Sequence, residues 1–143
     1  MPRVLRTSLP DGFFHVTARG VDGAAIVRDP SDCRLYVHLL ALTIARHHWE
    51  CHAYCLMPNH VHAVVDATQQ DLSAGVQYLH GTYALAFNRR HRRTGHLFGA
   101  RFASWIVETE RHLVNACRYV YLNPVRAGLC ARPEDWPWSG IRA

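Results

Sequence analysis

The succession of strand-like and helix-like periodicities along this chain limits its fold more tightly than any single motif. Alternation of apolar and polar residues, which is typical of strands, occurs at 12–19, 49–57, 60–66 and 101–108. Apolar residues spaced three and four apart, which are typical of helices, occur at about 30–48, 71–89 and 109–122. The predicted order is β-α-β-β-α-β-α. This order indicates an α+β fold of the ferredoxin-like class, with an antiparallel sheet and helices packed on one face.

Turn and cap residues set the predicted boundaries of these elements. Ser31 or Asp32 is expected to cap the first helix, and Thr109 the last one. Pro58-Asn59 is a turn pair that joins the second and third strands into a hairpin. We expect Asn123-Pro124 to end the last helix, because a residue that precedes proline is pushed out of the helical conformation.

Length, composition and charge narrow the class of protein. The chain has 143 residues, of which 49% are hydrophobic, so we expect residues 1–143 to form a single domain. No apolar run reaches the roughly 18 residues that span a bilayer, and residues 1–10 lack the apolar block of a signal peptide. These features predict a cytoplasmic protein. All 16 basic residues are arginines and the net charge is +5, which favours a polyanionic partner.

The segment Asn59-His60-Val61-His62 carries the clearest chemical signal. On a strand, His60 and His62 project from the same face, about 7 Å apart at the backbone, so both rings can converge on one metal ion. Val61 and the apolar residues that follow it fill the opposite face and anchor the strand in the core. Taken alone, two histidines at this spacing are more often unrelated polar residues on a solvent-facing strand.

The last predicted helix combines an apolar stripe with a polar flank. The stripe, which is expected to face the core, consists of Leu113, Ala116, Cys117 and Val120. Tyr119 and Asn123 lie on one flank of this stripe, and they are neighbours one turn apart. A tyrosine at the border of a core stripe usually has a structural role, with its hydroxyl reaching water.

The densest positive charge of the sequence follows the second predicted helix. This arginine loop contains Arg89, Arg90, Arg92 and Arg93. Such a cluster can bind the phosphates of a nucleic acid. It is equally typical of a solvated helix end, where cations are stabilised by the helix dipole. The residues alone leave both interpretations open.

Four segments together resemble the single-tyrosine HUH transposases of the insertion sequence 200/605 group, and especially their bacterial relatives, the REP-associated tyrosine transposases. In chain order, the segments are AYCLMPNHVHAVV (53–65), FNRRHRRTGHLFGARFASWIVE (87–108), RYVYLNPVRAGL (118–129) and PEDWPWS (133–139). The resemblance covers nearly the whole chain and keeps the order of the segments. It implies the HUH nuclease fold.

The resemblance also implies a role for each motif. His60 and His62 match the histidine pair that binds the metal ion in these enzymes. Tyr119 matches their nucleophilic tyrosine. Asn123 matches the position of the third metal ligand, where some relatives carry the longer glutamine. The arginine loop, together with Arg101, is then expected to contact DNA.

Members of this family cut and rejoin single-stranded DNA at the foot of hairpins, using Mg²⁺ or Mn²⁺. The resemblance therefore implies a metal-dependent single-stranded DNA endonuclease and strand transferase that acts on palindromic hairpins through a 5′-phosphotyrosine. One alternative is a catalytically inactive nucleic-acid-binding protein with the same fold. Another is a metal-dependent ribonuclease, against which a tyrosine beside the metal argues. The sequence leaves open whether Tyr119 acts within its own chain or across a homodimer.

Overall fold

The computed structural model describes residues 12–99 and 102–142, which form an antiparallel sheet with helices on both faces. The strands of the described part are β1 (Gly12–Arg19), β2 (Glu50–Leu56), β3 (His60–Ala67) and β4 (Ala103–Val107). Its helices are α1 (Pro30–Arg46), α2 (Gln69–Arg90) and α3 (Glu110–Arg126). The strands lie in the order β2-β3-β1-β4. The predicted α+β class and the predicted order of elements are thus confirmed.

The two faces of the sheet bury different residues. Phe14 of β1 and Val61 of β3 belong to the larger core, which the sheet forms with α1 and α2. Val64 of β3 points the other way and packs with Ala116 and Val120 of α3. The prediction of helices on one face is therefore right for α1 and α2 and wrong for α3. This helix packs on the opposite face because β2 and β3 present apolar residues there as well.

The cap of the first helix lies two residues before the first of the predicted positions, Ser31. Asp29, and not Ser31 or Asp32, is the cap, and its carboxylate accepts a hydrogen bond from the backbone N–H of Asp32 at 3.1 Å. Pro30 then occupies the first helical position, where its fixed φ suits the helix and its missing N–H costs nothing.

The last helix does not end at Asn123-Pro124, so that prediction is wrong. α3 continues to Arg126 with Pro124 buried inside it. A proline within a helix removes the hydrogen bond to the carbonyl four residues earlier, here that of Val120. The burial of Pro124 offsets part of this cost. The continuous helix keeps Asn123 on the same path as the turn before it.

Two strand registers bring one set of polar and aromatic residues together. β1 and β3 pair so that Arg19 lies opposite His60, and His62 shares the face of His60. β4 pairs with β1 so that Trp105 lies opposite His15. Residues paired directly across antiparallel strands point to the same face. All of these side chains therefore lie on the face that α3 partly covers.

The chain after α3 closes the outer edge of the sheet. The backbone N–H of Leu56 in β2 donates to the carbonyl of Trp138 at 2.8 Å, and the indole N–H of Trp136 donates to the carbonyl of Leu56 at 2.9 Å. These bonds satisfy backbone groups that an edge strand would otherwise expose. Within the residues described, no helix has both the length and the apolar character needed to cross a membrane.

A half-buried histidine makes the stability of this fold depend on pH. Nε2 of His80 in α2 lies 2.9 Å from the hydroxyl of Tyr36, and its ring stacks on Phe98 at 4.1 Å between centroids. Burial lowers the pKa of His80 from 6.5 to about 4. Between these two values, the unfolded chain binds a proton that the folded chain does not. The free energy of unfolding must therefore fall as the pH falls through this window.

We expect the free energy of urea unfolding to decrease from pH 6.5 to about 4, and His80→Phe to flatten this decrease. Some slope should remain, because burial lowers the pKa of His15, His60 and His62 as well. His38→Phe is the control, since His38 is exposed on α1. Equal slopes in His80→Phe and in the wild type would show that His80 does not titrate in this way.

Candidate active site

β3 and α3 bring the three predicted metal ligands together. The rings of His60 and His62 are perpendicular, with centroids 5.0 Å apart. Nε2 of His60 lies 3.3 Å from Oδ1 of Asn123. The asparagine reaches the histidine because α3 continues through Pro124. α3 also covers this part of the sheet, so that His62 is only 5% exposed.

The arrangement of donor atoms fits a divalent metal ion. Ligand bonds of roughly 2.0–2.2 Å place adjacent ligand atoms about 3 Å apart, close to the 3.3 Å between His60 and Asn123. The other ring nitrogen of each histidine is already engaged. Nδ1 of His60 lies 2.8 Å from Oδ1 of Asn59, and Nδ1 of His62 lies 3.1 Å from Nε2 of His15. Such partners orient metal-binding histidines in proteins.

The histidines of this site are held in their neutral form. Burial, reinforced by neighbouring His60 and His15, lowers the pKa of His62 to about 3. Burial also lowers the pKa of His60, and it outweighs the hydrogen bond with Asn123 that favours the charged form. Neutral imidazole is the form that binds metal ions, so near neutral pH the site can take a cation without first releasing protons.

Tyr119 lies beside His62 with much of its side chain in solvent. The two ring centroids are 5.7 Å apart, at an angle of 84°, and the tyrosine is 45% exposed. The guanidinium of Arg126 covers the ring of Tyr119 at 4.1 Å and donates to its backbone carbonyl at 2.6 Å. A cation over an aromatic ring is attracted to its face. The phenol is thus restrained while one side of it stays accessible.

An open cavity of about 700 Å³ runs along this face of the sheet. Its walls include His15, Arg19, His62, Trp105 and Tyr119. The volume lies within the range of ligand sites in proteins. The cavity can therefore hold a group the size of a nucleotide beside the tyrosine and the histidines.

Comparison with known proteins identifies the family. The sequence model of the family described as IS200-like transposases matches residues 25–123, well over half of the chain. This chain belongs to the IS200-like transposase family. The matched region includes His60, His62, Tyr119 and Asn123, and it ends just before Pro124.

Individual relatives of this transposase family agree with the match. A Haemophilus influenzae protein described as a REP-associated tyrosine transposase is 25% identical to this chain over an alignment of 110 residues. The alignment covers 69% of this chain and 62% of that relative, so this chain matches less than two thirds of the relative's length. The solved structure of a REP-associated tyrosine transposase bound to a REP hairpin has a TM-score of 0.79 at 17% identity, covering 99% of this chain and 84% of that one. A structure from Deinococcus radiodurans, described as a transposase, has a TM-score of 0.55 at 17% identity, with coverages of 83% and 95%. The two structures support the fold alone.

A second cluster of potential metal ligands in this family member is structural. Single ligand atoms of Asp29, Asp32 and His91 all lie within 4.8 Å of one another. Arg90 already fills this cluster, with ion pairs of 2.6 Å to Asp29 and 2.7 Å to Asp32. It holds the pKa of Asp29 down to about 2. The cluster ties the start of α1 to the end of α2, and the guanidinium of Arg90 already contacts both carboxylates that a cation would need.

The predicted DNA-binding arginines therefore differ in what they contact. Arg93 donates to Oδ1 of Asn88 and to the carbonyls of two residues in its own loop, so it also stabilises the fold. Arg89 and Arg92 are exposed. Arg101 lies outside the described residues.

Sequence reasoning did not single out His15, Arg19, Trp105 and Arg126. The alternation of polar residues in β1, at His15 and Arg19, was the one local signal that could have revealed part of this set. Trp105 depends on the pairing of β4 with β1, and Arg126 depends on the continuation of α3 past Pro124. Neither relation can be read from spacing along the chain.

We expect His60→Ala and Asn123→Ala each to lower the affinity for Mn²⁺ by roughly tenfold or more, since loss even of a supporting partner commonly has an effect of this size. Isothermal titration calorimetry of the purified chain with MnCl₂ measures this directly. His38→Ala, at an exposed position of α1, serves as the control. Unchanged Mn²⁺ affinity in both variants would remove these residues from the metal site. Variants of His62 are less informative, because that side chain is buried.

Proposed function

We propose that this chain is a metal-dependent single-stranded DNA endonuclease and strand transferase that cuts beside DNA hairpins through a 5′-phosphotyrosine intermediate. The observation that carries the proposal is the exposed Tyr119, whose ring lies 5.7 Å from that of His62. Membership of the IS200-like transposase family supports it. So does the likeness of the fold to a REP-associated tyrosine transposase that was solved bound to a REP hairpin.

In the proposed first step, the hydroxyl oxygen of Tyr119 attacks the scissile phosphorus. A new bond joins this oxygen to phosphorus, and the bond from phosphorus to the 3′ oxygen breaks. The tyrosine loses its proton, and the departing 3′ oxygen takes one up as a free 3′-hydroxyl. Attack of a 3′-hydroxyl on the phosphotyrosine then reverses these bond changes and joins two strands. Because the covalent link conserves the phosphodiester bond energy, rejoining needs no nucleotide cofactor.

His60, His62 and Asn123 would hold a Mg²⁺ or Mn²⁺ ion in this reaction. A bound divalent ion supplies polarisation of the scissile phosphate and neutralises the charge that develops on it. His15 and Asn59 keep the two imidazoles oriented through their second nitrogens. With three protein ligands, such an ion would have room for phosphate oxygens and water.

The reaction also needs a tyrosine that is positioned but free to react. Arg126 restrains the ring and backbone of Tyr119 without contacting its hydroxyl. Tyr119 lies beside His62 of its own chain. This arrangement favours a tyrosine that acts within its own chain over one that is exchanged across a homodimer.

DNA contacts are proposed for the arginine loop and Arg101. Arg89 and Arg92 are the strongest candidates for binding phosphates, because both are exposed and neither forms an ion pair within the described residues. Arg90 and Arg93 would instead act by holding the loop in shape, through Asp29 and Asp32 and through carbonyls of the loop. Binding to phosphates carries no sequence information directly, so this loop would position the DNA without reading its sequence.

Tyr119→Phe tests the proposed nucleophile. The change removes one oxygen and keeps the ring under Arg126, so hairpin binding should persist while cleavage and the covalent adduct disappear together. A single strand with a hairpin, labelled at its 3′ end, is incubated with the protein and Mn²⁺ and run on a denaturing protein gel. Tyr121→Phe is the matched control, because the hydroxyl of Tyr121 donates to the carbonyl of His52 and serves packing.

Each result of this experiment separates one alternative. DNA cleavage by Tyr119→Phe without an adduct would indicate that the metal activates water instead of the tyrosine. A labelled adduct mapped by peptide analysis to Tyr121 would contradict the assignment of Tyr119. Binding of the hairpin by the wild type with neither cleavage nor adduct would favour the catalytically inactive nucleic-acid-binding protein.

We expect the double variant Arg89→Gln/Arg92→Gln to weaken DNA binding about equally for all sequences. The slope of log affinity against log salt should fall by roughly 0.7 for each single-strand phosphate that no longer pairs with an arginine. Arg46→Gln, which removes one arginine charge at the far end of α1, should leave the slope unchanged. An unchanged slope in the double variant would show that the loop does not bind DNA phosphates.

Arg90→Gln should instead lower thermal stability, because it leaves the buried carboxylate of Asp32 without its ion pair to Arg90.

A further inference from the structure

The proposed reaction makes no use of Trp105, although this residue lines the same cavity as His62 and Tyr119. The side chain is 53% exposed. Its ring lies 5.6 Å from that of His15, at an angle of 56°, so contact with His15 covers only part of the indole. The uncovered part is a flat apolar surface that faces the cavity.

Packing of the fold does not account for this tryptophan. Val107, two residues later on the same face of β4, is buried in the smaller core, which the sheet forms with α3. Trp105 belongs to neither core of the described residues. Its large aromatic surface therefore contributes little to stability where it lies, although it is well placed to contact a bound ligand.

Trp105 lies close to the reacting groups. The ring of His15 lies 5.6 Å from that of Trp105 and 5.8 Å from that of Tyr119, between centroids. Successive bases on one strand are about 3.4 Å apart when stacked and farther apart when the strand is extended. If the scissile phosphate lies at Tyr119, a base one or two nucleotides along the same strand would therefore reach Trp105.

Arg19 places a cation in the same cavity. It is exposed, it lies opposite His60 in the pairing of β1 with β3, and it lines the cavity with Trp105. No ion pair within residues 12–99 and 102–142 engages it. The cavity thus offers a guanidinium without a carboxylate partner among these residues, and it also offers an aromatic surface. These two groups suit the two parts of a nucleotide, a phosphate and a flat base.

We propose that Trp105 stacks on an unpaired base next to the scissile phosphate, and that Arg19 binds a phosphate of the same strand. This inference rests on the proposed function, and it adds a subsite that selects single-stranded nucleotides. Stacking on an aromatic side chain tolerates any base, because every base has a π face, but a base within a duplex has no free face to offer. The subsite therefore favours an unpaired strand without reading its sequence.

The first test measures binding of an eight-nucleotide oligothymidylate by fluorescence anisotropy, with EDTA present so that no cleavage occurs. Trp105→Ala should weaken binding by roughly 5- to 150-fold, which corresponds to the loss of one stacked base. Trp105→Phe keeps an aromatic face and should retain most of the affinity. Leu85→Ala is the matched control, because Leu85 is 61% exposed on α2, away from the cavity. Equal affinities of Trp105→Ala and the wild type would overturn the proposal, as would a wild type that does not bind the oligonucleotide.

The second test locates the stacked base. Abasic residues replace the nucleotides beside a DNA hairpin one at a time, and the affinity of each oligonucleotide is measured. The wild type should lose affinity at one position, and Trp105→Ala should show no further loss at that position, since the stacking is already absent. Equal losses in both proteins at every position would contradict a stacked base at Trp105.

The binding of a phosphate by Arg19 is tested through its salt dependence. Arg19→Gln should lower the log-log salt slope for the oligothymidylate by roughly 0.7, the value for one single-strand phosphate. Arg46→Gln removes an equal charge on the other face of the sheet and should not change the slope. An Arg19→Gln slope equal to that of the wild type would overturn the role of Arg19.

Failure of this inference is distinguishable from failure of the proposed function. Suppose that the wild type forms the covalent adduct and that Trp105→Ala binds and cuts DNA equally well. This result would refute the stacking subsite and would still support the strand-transfer reaction. A wild type that binds the oligothymidylate through Trp105 and forms no adduct would support the subsite and refute the reaction. Thermal unfolding of each variant verifies that the exposed Trp105 can be replaced without loss of the fold.

Discussion

The register of β1 against β3 is the constraint on which the candidate site depends. With Arg19 opposite His60, the polar residues of both strands meet on the face toward α3, while Val61 and Val65 enter the core with α1 and α2. A slip of one residue would exchange the two faces, burying histidines among apolar side chains and exposing valines. The hydrophobic packing on one face of the sheet therefore fixes the positions of the candidate metal ligands on the other face.

The second constraint is the rigidity of α3. Ala116 and Val120 pack this helix against the sheet, and the helix continues through the buried Pro124 to Arg126. The helix carries Tyr119 and Asn123 one turn apart, so a single packed element sets the distance between the proposed nucleophile and a proposed metal ligand. Sites built on helices and strands hold such distances better than sites built on loops. The continuous helix lacks one backbone hydrogen bond at the proline, and in return it holds Tyr119 and Asn123 one turn apart.

Local patterns predicted the order of the elements and the shared face of His60 and His62, because periodicity and same-face spacing are properties of neighbouring residues. Contacts between distant residues were not predictable in this way. The bond between His15 and His62 requires the strand register, and the helix past Pro124 requires burial that offsets a local preference. The arginine loop shows the same limit, since Arg90 resembles its neighbours in sequence and yet is held by the carboxylates of another helix.

The charges of the site suit a polyanion better than a neutral substrate. The proposed ligands His60, His62 and Asn123 are all uncharged. An ion held by them would keep its full positive charge toward a phosphate, whereas carboxylate ligands would cancel part of it. Arg19 adds a further cation in the cavity. The carboxylates of Asp29 and Asp32 are bound instead by Arg90 in a separate cluster. The fold thus keeps its buried negative charge away from the ligand set and concentrates positive charge where DNA is proposed to bind.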